Sequence, residues 1–224
     1  MQRHAGRGRR RLREPFNAIT HMIGALVALV GGFALVAAAA GDPWRMLSFA
    51  IYALASLTLF SASALLHGVR AGPTLGEWLR RADHAAIFVL IAGSYTPIAL
   101  VTLRSHAPGW TWPLLTTVWA FAVLGVLFKL FWFRAPRWLS TGLYLLLGWM
   151  ALVAIRPIAR AMPWGGVALL VAGGLLYSVG AVVYALKRPD PAPGRIGYHG
   201  VWHLFVLAGW GAHFVMVAAY VLPA

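Results

Sequence analysis

Apolar residues run along this chain in long blocks, broken by short clusters of Pro, Gly and Arg. Seven blocks stand out: Phe16–Ala40, Trp44–His67, His84–Leu103, Trp110–Phe133, Trp138–Ile155, Trp164–Leu186 and His199–Leu222. Each is close to the ~20 residues that a helix needs to cross the hydrocarbon core of a bilayer. The joints between them, such as "AGDPWR", "RSHAPGW", "FRAPRW" and "KRPDPAPGRIGY", are rich in residues that end helices. Trp44, Trp110, Trp138 and Trp164 open four blocks, as interfacial anchors do. The runs "LLLGWMA" and "VAGGLLYSVGA" place small residues where helices pack closely. The pattern predicts an all-α integral membrane protein of seven transmembrane helices, residues 14–224, behind a basic tail, residues 1–13.

Composition agrees. Hydrophobic residues make up 61% of the 224 and charged residues 11%, against about a quarter charged in a soluble domain. The first apolar run, at 25 residues, exceeds the ~7–15 of a signal-peptide core and reads as the first helix. Cysteine is absent, so any transition-metal site must use His and carboxylate.

The net charge of +14 raises the question of nucleic acid, and its placement answers it. Six arginines lie in the tail (Arg3, Arg7, Arg9, Arg10, Arg11, Arg13). Arg70, Arg80 and Arg81 follow the second span, Lys129, Arg134 and Arg137 the fourth, and Lys187, Arg188 and Arg195 the sixth. Only Arg45, Arg104, Arg156 and Arg160 belong to the other side. Basic loops stay in the cytoplasm, which puts the N-terminus inside and the C-terminus outside. The charge is thus a topology signal and a contact for anionic headgroups, with no nucleic acid required. The expected location is the cytoplasmic membrane and the expected partners are membrane lipids. No protein partner is indicated.

Polar side chains at membrane depth are costly and mark function. Here they collect at the cytoplasmic end. Ser63 and His67 end the second span, Asp83 opens the third, and His199 and His203 begin the seventh. His199 and His203 are four residues apart, about 40° around a helix, so both rings reach one ion. His67, His199 and His203 with a water make the pattern of a catalytic-type zinc site. Asp83 is placed to orient the water or a ligand, and Ser63 to hold a water or substrate oxygen. Glu14, Asn17 and His21 share a stripe of the first helix and read as a second polar cluster, with Glu14 as the helix cap.

Plainer roles stand beside these. His199 and His203 also suit core histidines bonded to Ser, Tyr or backbone groups, and Asp83 suits the cap of the third helix. His84 points about 100° from Asp83 and is read as structural. Glu77 is expected to pair with Arg80 or Arg81. His213 follows the phase of His199 but lies about 15 Å deeper than His203, outside the same site.

"EPFNAITHMIG", "SALLHG", "RADHAAIFVLIAGSYTPIAL" and "GYHGVWHLFVLAGWGAHF" together resemble the bacterial hemolysin III proteins, which group with the progestin and adipoQ receptors (PAQR) and alkaline ceramidases. The resemblance runs from Glu14 to Leu222. It implies zinc on His67, His199 and His203 near the cytoplasmic side, with Asp83 touching the metal's water. His84 stands where the eukaryotic receptors carry Tyr, and the N-terminal segment is short. Both features argue against a hormone receptor.

Three functions follow as expectations. The first is a zinc-dependent lipid hydrolase acting on an amide, with Asp83 as general base or orienter and Ser63 as a clamp. The second is a non-enzymatic sensor or transporter braced by structural zinc. The third is a cytolytic pore, which the lack of a wide polar lumen disfavours.

Overall fold

The computed structural model describes residues 12–223; residues 1–11, most of the predicted basic tail, and residue 224 lie outside the described part. Helices build the whole of it, the only β-pairing among the described residues being an isolated bridge between Ala192 and Ile196. They are α1 (Pro15–Ala38), α2 (Pro43–Gly68), α3 (Pro73–Pro97), α4 (Pro108–Phe131), α5 (Arg137–Gly148), α6 (Ile155–Ala161), α7 (Trp164–Leu186) and α8 (Tyr198–Met216). Proline opens α1, α2, α3 and α4 and immediately precedes α5 and α7. Its missing N–H is no loss there, because the first helical N–H groups have no partner in the helix anyway.

Six stretches are long and apolar enough to cross a membrane, and α5 with α6 makes a seventh if its 53° bend is counted within one span. Pro157 accounts for the bend. Its ring meets the carbonyl four residues back and gives that carbonyl no N–H. That residue is Val153, and the helix breaks between Leu152 and Ile155. Tyr95 staples the break: its hydroxyl donates toward the carbonyls of Leu147 (3.1 Å) and Gly148 (2.6 Å) and accepts from the Ala151 N–H at 2.8 Å.

The third span is longer than its apolar block. α3 continues through a π-helical segment, Ile98–Leu103, to His106, giving 34 residues from Pro73. That is about 51 Å of helix, well beyond the ~30 Å core. The expectation that Asp83 opens the helix is therefore corrected: Asp83 lies ten residues inside it. Glu77 and Arg81 sit on this extension, paired at 2.5 Å, and Arg81 donates to the Leu130 carbonyl at the end of α4. Pro97 leaves the Gly93 carbonyl without its helical donor, and the wider π turns begin at the next residue.

α3 is the most buried of the spans. The chain neighbours α1 and α2, α2 and α3, α3 and α4, and α7 and α8 pack side by side, while contacts of α1 with α8, α5 with α7 and α3 with α5 complete the ring. Outer faces are apolar, with Ile23, Leu26, Val30 and Phe33 of α1 exposed, as lipid-facing surfaces are. Close approach depends on missing side chains: a Cβ on Gly93 would collide with Ala55 of α2, and one on Gly32 with Ala53. Gly93→Ala is expected to cost about 1–3 kcal/mol through overpacking. Gly142→Ala, which meets nothing within 4 Å, serves as the control. Thermal unfolding in detergent checks this; equal midpoints for Gly93→Ala and wild type would contradict the packing.

Candidate metal centre

Helix ends bring the polar residues together. The last carbonyls of α2 have no helical donors. Here the His67 carbonyl accepts from the Glu14 N–H at 2.8 Å, and the Gly68 carbonyl from the Arg13 N–H at 3.2 Å. This backbone clamp fixes the start of α1 to the end of α2. It also sets the Glu14 carboxylate against the His67 ring, Oε2 to Nδ1, at 2.6 Å. Glu14 occupies the cap position of α1 but makes no side-chain cap bond. Its carboxylate instead takes His67, the Asn17 amide at 2.9 Å and Arg13 at 2.7 Å. The His67 bond above all, with Arg13 behind it, outweighs partial burial and holds this carboxyl well below the usual range.

That bond also orients His67. With the Nδ1 hydrogen donated to Glu14, the Nε2 lone pair points away and faces His199 Nε2 at 3.3 Å. Two nitrogens held 2.0–2.1 Å from a tetrahedral ion stand roughly 3.3–3.4 Å apart. Among the described residues, His67, His199 and His203 form the group whose ligand atoms all lie within 4.8 Å of one another. His67 and His203 are buried, and His203 Nδ1 has no hydrogen-bond partner. Three clustered imidazoles with a carboxylate behind one of them fit a divalent ion.

His21 is not part of a separate cluster, which corrects the sequence reading of Glu14, Asn17 and His21. Its ring stacks on His203 with centroids 3.8 Å apart and planes 20° apart. Both of its nitrogens are buried without partners. Glu14 and Asn17 reach the same centre through His67. The sequence signal for this was present, since all three lie on one stripe of α1, but their tie to α2 passes through the backbone clamp.

Beside the imidazoles lies a cavity of about 360 Å³, lined by His199 and His203 together with Ser63, Asp83 and His21. Ser63 donates a hydrogen bond to the Asp83 carboxylate. Asp83 is outside the three-imidazole group, and 13% of its side chain is accessible. His84 Nδ1 stands 2.7 Å from the Arg80 carbonyl and 3.7 Å from an Asp83 carboxylate oxygen, and the ring lines the same cavity. His213 also finds a role: its Nε2 donates to the Leu170 carbonyl of α7 at 3.1 Å, and Gly173 leaves room for the ring.

The fold and this centre define a class: a multi-pass helical membrane protein with an imidazole cluster at its arginine-rich end. Comparison with known proteins narrows the class. Residues 9–214 match the family described as Haemolysin-III related. The chain is 39% identical to Hemolysin-3 of Bacillus cereus over 209 residues, covering 92% of this chain and 91% of that one. It is also 39% identical to the Hemolysin-3 homolog of Bacillus subtilis (strain 168) over 206 residues, covering 91% and 92%. The chain belongs to the haemolysin III family.

His203→Ala is expected to abolish retention of a divalent ion by the purified protein, and Glu14→Gln to weaken it about 10–100-fold. Equilibrium dialysis with elemental analysis measures both. Metal content unchanged in His203→Ala would remove the site.

Proposed function

We propose that this protein is a zinc-dependent hydrolase of membrane lipids, with the metal on His67, His199 and His203 and an acyl amide as the preferred bond. The observation that supports this most is the asymmetry of the centre. His67 meets the clamped helix ends, while His199 and His203 line the cavity together with Asp83 and Ser63. A structural zinc site calls for four protein ligands, whereas the group here has three.

Zinc in such a site supplies Lewis acidity and a hydroxide nucleophile near neutral pH. The residues of the chain do the rest. Ser63 holds the Asp83 carboxylate by one hydrogen bond, so acceptor capacity remains to take a proton from the attacking water. When a substrate carbonyl displaces that contact, the Ser63 hydroxyl is placed to donate to its oxygen. Further in, Leu90, Ile98, Leu170 and Val206 line the cavity and suit an acyl chain. The positive-inside rule places this end, and the catalytic centre, at the cytoplasmic leaflet. The name Hemolysin-3 carried by the relatives raises lysis as a second activity, but those apolar walls do not suit a water-filled pore.

Purified protein in liposomes carrying acyl-amide and acyl-ester lipids is expected to release fatty acid. Asp83→Ala should lower the rate by about 10²–10⁴-fold with bound zinc retained, read by mass spectrometry of the lipids. Absence of product from every amide and ester tested would reject hydrolysis. Leakage of an entrapped dye would instead favour the pore.

A further inference from the structure

Lys129 has no part in the centre described above, yet it is the single buried cation among the described residues, with 2% of its surface accessible. It lies in the last turns of α4. Its ammonium donates to the Ser140 hydroxyl of α5, and its Nζ stands 5.3 Å from the centre of the Phe128 ring. No carboxylate among the described residues is within ion-pair distance of it. The partial negative charge at the end of α4 helps, and so does the Phe128 ring. Neither replaces a counter-ion, and an ammonium has three hydrogens to donate where the protein supplies one acceptor. A buried charge without a partner is strongly unfavourable.

The position of Lys129 shows where a partner can come from. It lines the same cavity as Asp83 and the imidazoles. Arg137, exposed at the start of α5, lines that cavity too, with its guanidinium 4.8 Å from the centre of the Tyr184 ring. Arg137 likewise has no carboxylate partner among the described residues. Ser140 and Thr141 add hydroxyls to this wall. The cavity therefore carries imidazoles, cations and hydroxyls on its walls around an apolar interior, with the Tyr184 ring between Arg137 and His199.

We propose that Lys129 and Arg137 form an anion subsite in this cavity, which takes the carboxylate or phosphate of a single-chain amphiphile whose chain lies along the apolar wall. Lys129 is the buried contact and Arg137 the rim contact, with the planar fork that suits either anion. The subsite rests on the reading of the cavity as the lipid site, and not on hydrolysis.

The test is binding of three probes of equal chain length to the purified full chain in detergent: palmitate, palmitoyl lysophosphatidic acid and neutral monopalmitoylglycerol. At least one anion is expected to bind roughly ten- to a hundredfold more tightly than the neutral probe, the range for hydrogen bonds to charged groups. Lys129→Met and Arg137→Gln should each erase most of that preference and leave the neutral probe unaffected. A preference for palmitate identifies a fatty-acid carboxylate, and one for the lysolipid a headgroup phosphate; both support the subsite. Equal binding of all three probes by the wild type overturns it, with no variant needed. So does an anion preference unchanged in both variants. Lipid turnover without anion selection removes the subsite alone, and anion selection without turnover removes the hydrolase reading alone.

Discussion

The hydrogen bond between Glu14 and His67 is the interaction on which the centre depends. Without it the imidazole would be free to turn, and either nitrogen could carry the hydrogen. With it, Nδ1 is committed at 2.6 Å and Nε2 is left bare toward His199. The carboxylate can do this because the backbone of Arg13 and Glu14 is itself engaged with the end of α2. The last carbonyls of a helix have no donors within it. The same two bonds that meet this need also place the ligand. A requirement of helix termination is thereby turned into the orientation of a ring that could hold a metal ion.

Much of this was legible in the order of the residues. The apolar blocks mark the spans, and the spacing of four between His199 and His203 puts them on one face. Alternation of the basic loops puts His67 at the same end. The pairing of Glu14 with His67 was not legible, because it joins residues 53 apart through a backbone clamp that no periodicity announces. The true start of α3 was hidden as well. "GPTLGEWLRRAD" reads as a polar loop, but Pro73 opens a helix there and Glu77 and Arg81 pair along it. In the fifth span the continuous apolar run concealed a break, although Pro157 names the residue where it must fall.

His213 illustrates how the same residue type takes different roles by its surroundings. Its depth keeps it from His203, and its Nε2 is satisfied by the Leu170 carbonyl. His203, ten residues earlier, has its ring centre 4.8 Å from those of both His67 and His199. An imidazole bonded across two helices serves packing, and Gly173 is the corresponding concession on α7. An imidazole beside two others is available to a ligand. The difference comes from the facing helix, so the sequence of α8 by itself could not make it.

Charge balance gives the arginine-rich end its character. The chain has 19 basic residues and five acidic ones. Every one of the five is committed: Glu14 to His67, Asn17 and Arg13, Asp42 to the first N–H groups of α2, Glu77 to Arg81, Asp83 to Ser63, and Asp190 to the Tyr198 N–H. The protein thus cannot neutralise its own cations, and the balance must come from outside. For exposed arginines, water and anionic headgroups suffice. For Lys129, buried in the protein but lining the cavity, a counter-charge can arrive through that cavity.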